Sequence, residues 1–90
     1  MSRKIVGNAK GEHELGPGLL QTVEVFGATL QGEVRVLRGS SFVGSLASGS
    51  TVGTRINLQG TDFPVAFPCR IQIFNPADNV ACEFSGNVKG

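Results

Sequence analysis

The single histidine of this sequence, His13, stands between two carboxylates, Glu12 and Glu14. An imidazole beside carboxylates is suited to proton transfer or to binding a metal ion. The segment around it is extended and interrupted by glycines, so successive side chains point to opposite sides and cannot converge on one ion. We therefore expect a solvated charge cluster at His13, and we predict no catalytic residue, metal ligand or cofactor site.

The two cysteines, Cys69 and Cys82, could form one disulfide or remain as buried thiols. A turn at Asn75–Asp78, with proline at its second position, predicts a hairpin between strands 69–74 and 79–84. In that hairpin the apolar residues share one face, Arg70 lies opposite Glu83, and the cysteines are diagonal neighbours about 7–8 Å apart. That separation exceeds the usual disulfide span, so the pattern predicts two buried, reduced thiols.

The glycine-rich segment Gly39–Ser45 is the nearest approach to a phosphate-binding loop. It lacks the Gly-Lys-Ser/Thr ending, and no helix is predicted to begin after it. The segment therefore indicates turn chemistry, with a short strand around Phe42 and Val43.

A basic strip is the remaining candidate site. It would form if strands 33–38 and 52–58 were neighbours, because four arginines fall on outward faces: Arg35, Arg38, Arg55 and Arg70. A protein that binds single strands would interleave aromatic rings with this strip, and the candidates are Phe42, Phe63, Phe67 and Phe74. A net charge of only +1 disfavours nucleic acid as the partner.

The elements that must position these residues are predicted to be strands. The 90 residues allow one domain, and the 13 glycines, with Val, Ile, Phe, Thr and Asn filling the stretches between them, favour strands and turns. Alternating segments predict an all-β domain over residues 19–90, a small antiparallel β-sandwich or barrel of about six short strands, with a turn at 59–62. Residues 1–18 are predicted to form an extended N-terminal arm. No segment has the length of a membrane span or the pattern of a signal peptide, so we expect a cytoplasmic product.

This domain has more large apolar residues than one half-buried sheet can cover, so some are expected to meet a protein partner. The predicted interaction residues are Ile5, Val6, Phe42, Leu46, Phe63, Phe67 and Phe74. We expect a homo-oligomer with closed rotational symmetry, and a trimer is favoured slightly over a dimer.

The arm Met1–Gly18 and the strands rich in Gly, Ser and Thr between Thr22 and Leu58 resemble the small all-β accessory proteins of bacteriophage virions, such as capsid cement or decoration proteins. The resemblance extends over the whole chain as a style of sequence. It implies a non-enzymatic protein, made in the host cytoplasm, that assembles on a capsid or tail and stabilises it. The alternative is a small β-barrel that binds single-stranded nucleic acid or another ligand.

Overall fold

A computed structural model describes residues 2–7 and 9–85, the side chains of Ser2 and Ser85 excepted. The described residues form eight strands, as the all-β prediction requires, although about six were expected. In chain order they are β1 (Ser2–Gly7), β2 (Gly11–Gly16), β3 (Gly18–Val25), β4 (Val34–Arg38), β5 (Ser41–Leu46), β6 (Arg55–Phe63), β7 (Cys69–Ile73) and β8 (Asn79–Ser85). No helix among the described residues is long and apolar enough to cross a membrane.

The strands form two antiparallel four-stranded sheets. Sheet A has the order β1-β8-β3-β6, and sheet B has the order β2-β7-β4-β5. The sheets stay open at their edges, so the fold is the sandwich of the two predicted architectures and not a closed barrel.

The core lies between the sheets and is made of the inward residues of every strand. Period-2 alternation explains it, since β4 buries Val34 and Val36 while Arg35 stays exposed, and β7 buries Ile71 and Ile73. Fully covered side chains from β3, β6 and β8 meet them from sheet A, among them Leu20, Val23, Phe63, Val80 and Phe84.

The predicted hairpin between β7 and β8 is wrong. Strand β7 pairs with β2 and β4 in sheet B, whereas β8 pairs with β1 and β3 in sheet A, so the turn at 75–78 carries the chain from one sheet to the other. The predicted faces are nevertheless right, because Ile71 and Cys82 both point into the core. Two strands that each have one apolar face can lie side by side in one sheet or face each other from opposite sheets of a sandwich. Alternation does not distinguish these two arrangements.

The prediction that residues 1–18 form an arm outside the β domain is also wrong for most of its length. Strand β1 pairs with β8 along the edge of sheet A, and β2 pairs with β7 along the edge of sheet B. Val6 and Leu15 are buried where the two strands cover the core. Glycines and charges hid this pattern, because each of these edge strands contributes only one fully covered apolar side chain.

Strand β6 continues through the segment predicted as a turn. Between its pairs with Thr22 and Leu20 it carries extra residues in a bulge, where Gln59 and Gly60 adopt positive φ angles of 53° and 73°. The bulge turns the backbone locally without ending the strand.

The sandwich has two ends, which differ in their loops. The clamped end holds the loops 26–33, 47–54 and 74–78, and the apolar end holds the turns at 39–40 and 64–68. At the clamped end the carboxylate of Asp78, which is almost fully buried, accepts hydrogen bonds from the backbone N–H groups of Gln31 and Gly32 at 2.7 and 2.8 Å. This side chain ties the turn between β7 and β8 to the loop between β3 and β4.

Candidate functional site

The apolar end carries the three most exposed large hydrophobic side chains of the described residues. Val65 is 80 % exposed, Phe42 is 61 % exposed and Phe67 is 56 % exposed. All three lie where strands enter or leave the same end of the sandwich, on the β6–β7 connector and at the start of β5. We call this group, Phe42, Val65 and Phe67, the apolar patch.

Two prolines shape the connector that carries Val65 and Phe67. Proline offers no N–H to a ladder, so the segment between Pro64 and Pro68 cannot continue a central strand. It folds into a turn instead, closed by a hydrogen bond from the N–H of Phe67 to the carbonyl of Pro64 at 3.0 Å. Both apolar side chains are therefore presented outward on a short turn.

The turn between β4 and β5 holds Phe67 in place. Gly39 has a φ of 61°, and its N–H donates to the carbonyl of Pro68 at 3.0 Å. A Cβ atom at Gly39 would lie 2.9 Å from Cδ1 of Phe67, so the ring rests directly against this backbone. Arg38, Ser41 and Phe67 line a shallow concavity of about 320 Å³ beside the patch.

Phe42 reaches the surface because β5 is bulged. In the β4–β5 ladder Val36 lies opposite Gly44 and Leu37 lies opposite Phe42, so Val43 is the extra residue. The bulge places Phe42 beside Leu37 on the outer face of sheet B, where Leu37 is itself 8 % exposed. Phe42 therefore stays exposed on this face, whereas Leu37 beside it is covered.

The predicted interaction residues do not gather in one site. Val6, Leu46 and Phe63 are buried in the core and offer nothing to a partner, which corrects their assignment. Ile5 is exposed in the middle of β1, on the outer face of sheet A and outside the apolar patch.

Phe74 is exposed at the clamped end, where the guanidinium of Arg35 lies 5.3 Å from its ring centroid. Sequence reasoning missed Val65, the most exposed of all, because the residues between two prolines show no alternation. The two prolines were themselves the signal, since they mark a connector whose apolar residues have no sheet face to join.

The basic strip does not form. Strands β4 and β6 belong to different sheets, and two of the four arginines form ion pairs with acidic side chains. Arg35 pairs with Glu33 at 2.9 Å, and Arg70 lies 3.2 Å from Glu12 and 3.6 Å from Glu14. The predicted opposition of Arg70 and Glu83 fails with the hairpin, and Glu83 instead accepts a hydrogen bond from Thr22.

His13 lies on β2 beside a cleft that separates the edges of the two sheets. A ring nitrogen, Nε2, is 2.8 Å from the carbonyl oxygen of Ala9, a contact in which the nitrogen donates. Lys4 and Glu14 line the same cleft. Within residues 2–7 and 9–85, no group of three or more His, Cys, Asp or Glu side chains is placed to hold a metal ion.

Both cysteines are free thiols in the core, as predicted. Burial raises the pKa of Cys69 from 9.0 to about 12. The pKa of Cys82 is raised further, mainly by burial and then by the neighbouring Cys69, while Lys4 opposes the shift. Thiols held protonated in this way are poor nucleophiles and poor metal ligands.

Comparison of the chain with protein-family models, with curated proteins and with solved structures finds no match. Its function therefore has to be argued from its own residues.

Proposed function

We propose that this protein is a non-enzymatic structural module that binds another protein through the apolar patch, as an accessory component of a virus particle of the capsid cement or tail type. The observation that carries the proposal is the concentration of Val65, Phe42 and Phe67 at one end of a small sandwich. When a partner covers aromatic and aliphatic side chains that were exposed to water, the burial of their apolar surface stabilises the complex.

The chemistry of the described side chains supports a binding role over a catalytic one. The thiols of Cys69 and Cys82 are buried and protonated at neutral pH, so neither is a ready nucleophile. The His13 ring is engaged with the Ala9 carbonyl instead of a nucleophile. The virus-particle part of the proposal is supported by the resemblance of the Gly/Ser/Thr-rich strands to small virion accessory proteins.

The test combines particle association with a matched pair of double variants. Phe42→Ser with Phe67→Ser removes two side chains of the apolar patch. Val52→Ser with Phe74→Ser removes two exposed apolar side chains at the opposite end and serves as the control. All four positions are at least partly exposed, so we expect both double variants to fold, and urea titration checks that their losses in the free energy of unfolding are similar.

The expected result is that the protein co-sediments in fixed stoichiometry with virus particles. These particles are purified from the cells that carry its gene. We expect the apolar-patch variant to lose this association at least tenfold, whereas the control retains it. A chain that stays wholly outside the particle fraction would refute the virion role. Equal binding by the two double variants would refute the apolar patch as the contact.

A further inference from the structure

The sandwich has four edge strands, and three of them are interrupted. Strand β2 is bulged between Glu14 and Gly16, β5 carries the extra residue Val43, and β6 is bulged at Gln59 and Gly60. Bulges of this kind are a common way of protecting a sheet edge from pairing with another chain.

Strand β1 is the exception. Its ladder with β8 runs from Ser2 opposite Phe84 to Gly7 opposite Asn79 without a register shift. It contains no proline, and nothing in the described residues pairs with its outer side, since β8 is its sole ladder partner there. The edge of sheet A at β1 is therefore a regular template for one more strand.

We propose that β1 pairs antiparallel with β1 of a second copy of this chain, with Ile5 opposite Ile5, so that the two A sheets become one continuous eight-stranded sheet. This contact is separate from the apolar patch and does not rest on it. Because antiparallel pairing of two identical strands has two-fold symmetry, the contact makes a dimer. The trimer favoured from the sequence would need another surface.

The two cations of β1 disfavour two of the neighbouring registers. If Lys4 lay opposite Lys4 at the two-fold axis, two lysines would face each other, and the register with Arg3 at the axis would do the same with two arginines. Like charges directly opposite each other are destabilising. A centre at Ile5 places Lys4 opposite Val6 and Arg3 opposite Gly7. Each charge then lies opposite an apolar or absent side chain instead of another cation.

Side-chain direction supports the same centre. Opposite residues of an antiparallel pair point to the same side of the sheet. The side chains of Ile5 and Arg3 lie on the outer face of sheet A, since their partners on β8 are Ala81 and Glu83. Ile5 is 44 % exposed there, and in the dimer its β-branched side chain would pack against its counterpart.

Arg3 already has a contact within its own chain on the outer face of sheet A. Its guanidinium lies 5.6 Å from the ring centroid of Phe26 in the same chain, so the charge is already turned along the sheet and away from the free edge. Gly7, opposite Arg3 in the proposed register, contributes no side chain that would clash. Neither residue therefore obstructs the free edge on the outer face of the sheet.

Cysteine cross-linking tests the contact and its register together. The native thiols are buried and protonated at neutral pH, so a surface cysteine is the most reactive thiol of the folded chain. In Ile5→Cys the two introduced residues lie opposite each other, with Cα atoms about 4.5–5.5 Å apart, within disulfide range. In the matched control Arg3→Cys the same atoms lie about 13 Å apart, because the register displaces them by four residues.

We expect mild oxidation with oxidised glutathione to convert Ile5→Cys to a disulfide-linked dimer at least tenfold faster than Arg3→Cys. Light scattering coupled to size exclusion should give twice the chain mass for the wild type and the chain mass for Ile5→Lys, which sets two cations opposite each other. A wild type that remains monomeric at millimolar concentration would overturn the proposal. Equal cross-linking of the two cysteine variants, or faster cross-linking of Arg3→Cys, would also overturn it. None of these results depends on binding to virus particles, so the proposed function is tested separately.

Discussion

The two ends of the sandwich use their residues in opposite ways. At the clamped end, the buried Asp78 holds the loop that contains Leu30, and backbone hydrogen bonds join Leu30 to Gly49 and Ser50. At the apolar end, the turns are short and leave Val65 and Phe67 in water. The difference indicates that a buried carboxylate holds the loops of the clamped end together, whereas the apolar end carries the most exposed apolar side chains of the described residues.

The largest effect is expected from Asp78→Ala. The substitution leaves the N–H groups of Gln31 and Gly32 without an acceptor and removes two hydrogen bonds to a charged group. The free energy of unfolding should fall by about 3 kcal/mol in urea titrations. Asp78→Asn should lose less, because one carbonyl oxygen remains.

The control for this substitution is Asp62→Ala on the exposed part of β6, with an expected change below about 0.5 kcal/mol. If Asp78→Ala were no more costly than Asp62→Ala, the two ends would not differ in the way described.

A second prediction concerns the thiols between the two ends. A thiol whose pKa is raised on folding contributes no pH dependence below its ordinary pKa, and its stabilisation is lost as the pH rises through the folded value. Since Cys69 shifts from 9.0 to about 12, the free energy of unfolding should decline above pH 9, by up to about 1.4 kcal/mol per pH unit for each thiol.

The measurement is urea unfolding at pH 8, 9 and 10 for the wild type and for Cys69→Ala with Cys82→Ala. We expect the double variant to be less stable at pH 8 and to show a shallower alkaline decline. A decline of equal slope in both proteins would assign it to other groups.

The smallest effect compares one glycine from each end. Gly39 and Gly49 both have positive φ angles, 61° and 87°, but a Cβ atom meets Phe67 at Gly39 and nothing within 4 Å at Gly49. Gly49→Ala should cost about 1 kcal/mol from the backbone alone. Gly39→Ala should cost about 1 kcal/mol more, because the Phe67 ring must move.

A double-mutant cycle with Phe67→Ala separates the two contributions. The extra cost of Gly39→Ala should disappear in the Phe67→Ala background, while the cost of Gly49→Ala should not change. An unchanged cost at Gly39 would show that the ring is not held by this turn.

Part of the candidate site was accessible from sequence. The exposure of Phe42 and Phe67 followed from a surplus of apolar residues that a small domain cannot cover. Which members of the surplus remain outside did not follow, because Phe63 lies on an alternating strand next to a proline and is buried, while Val65 two residues later is exposed. Phe63 is the last residue of β6 and still packs into the core, whereas Val65 lies on the connector beyond the end of that strand.

Alternation by itself determined that the chain is all-β and that Cys69, Ile71 and Cys82 point into a core, because side-chain direction in a strand has a period of two residues. The free thiols were predicted from the spacing in a hairpin that does not form, so that prediction is correct but its geometric reason is not. Only the tertiary structure decided that β7 and β8 lie in different sheets and that Ser2–Gly7 and Gly11–Gly16 are edge strands. The physical reason is that strand pairing uses backbone groups common to all residues, so the choice of neighbour depends on the packing of both sheets and on contacts such as those of Asp78, which lie far apart in the sequence.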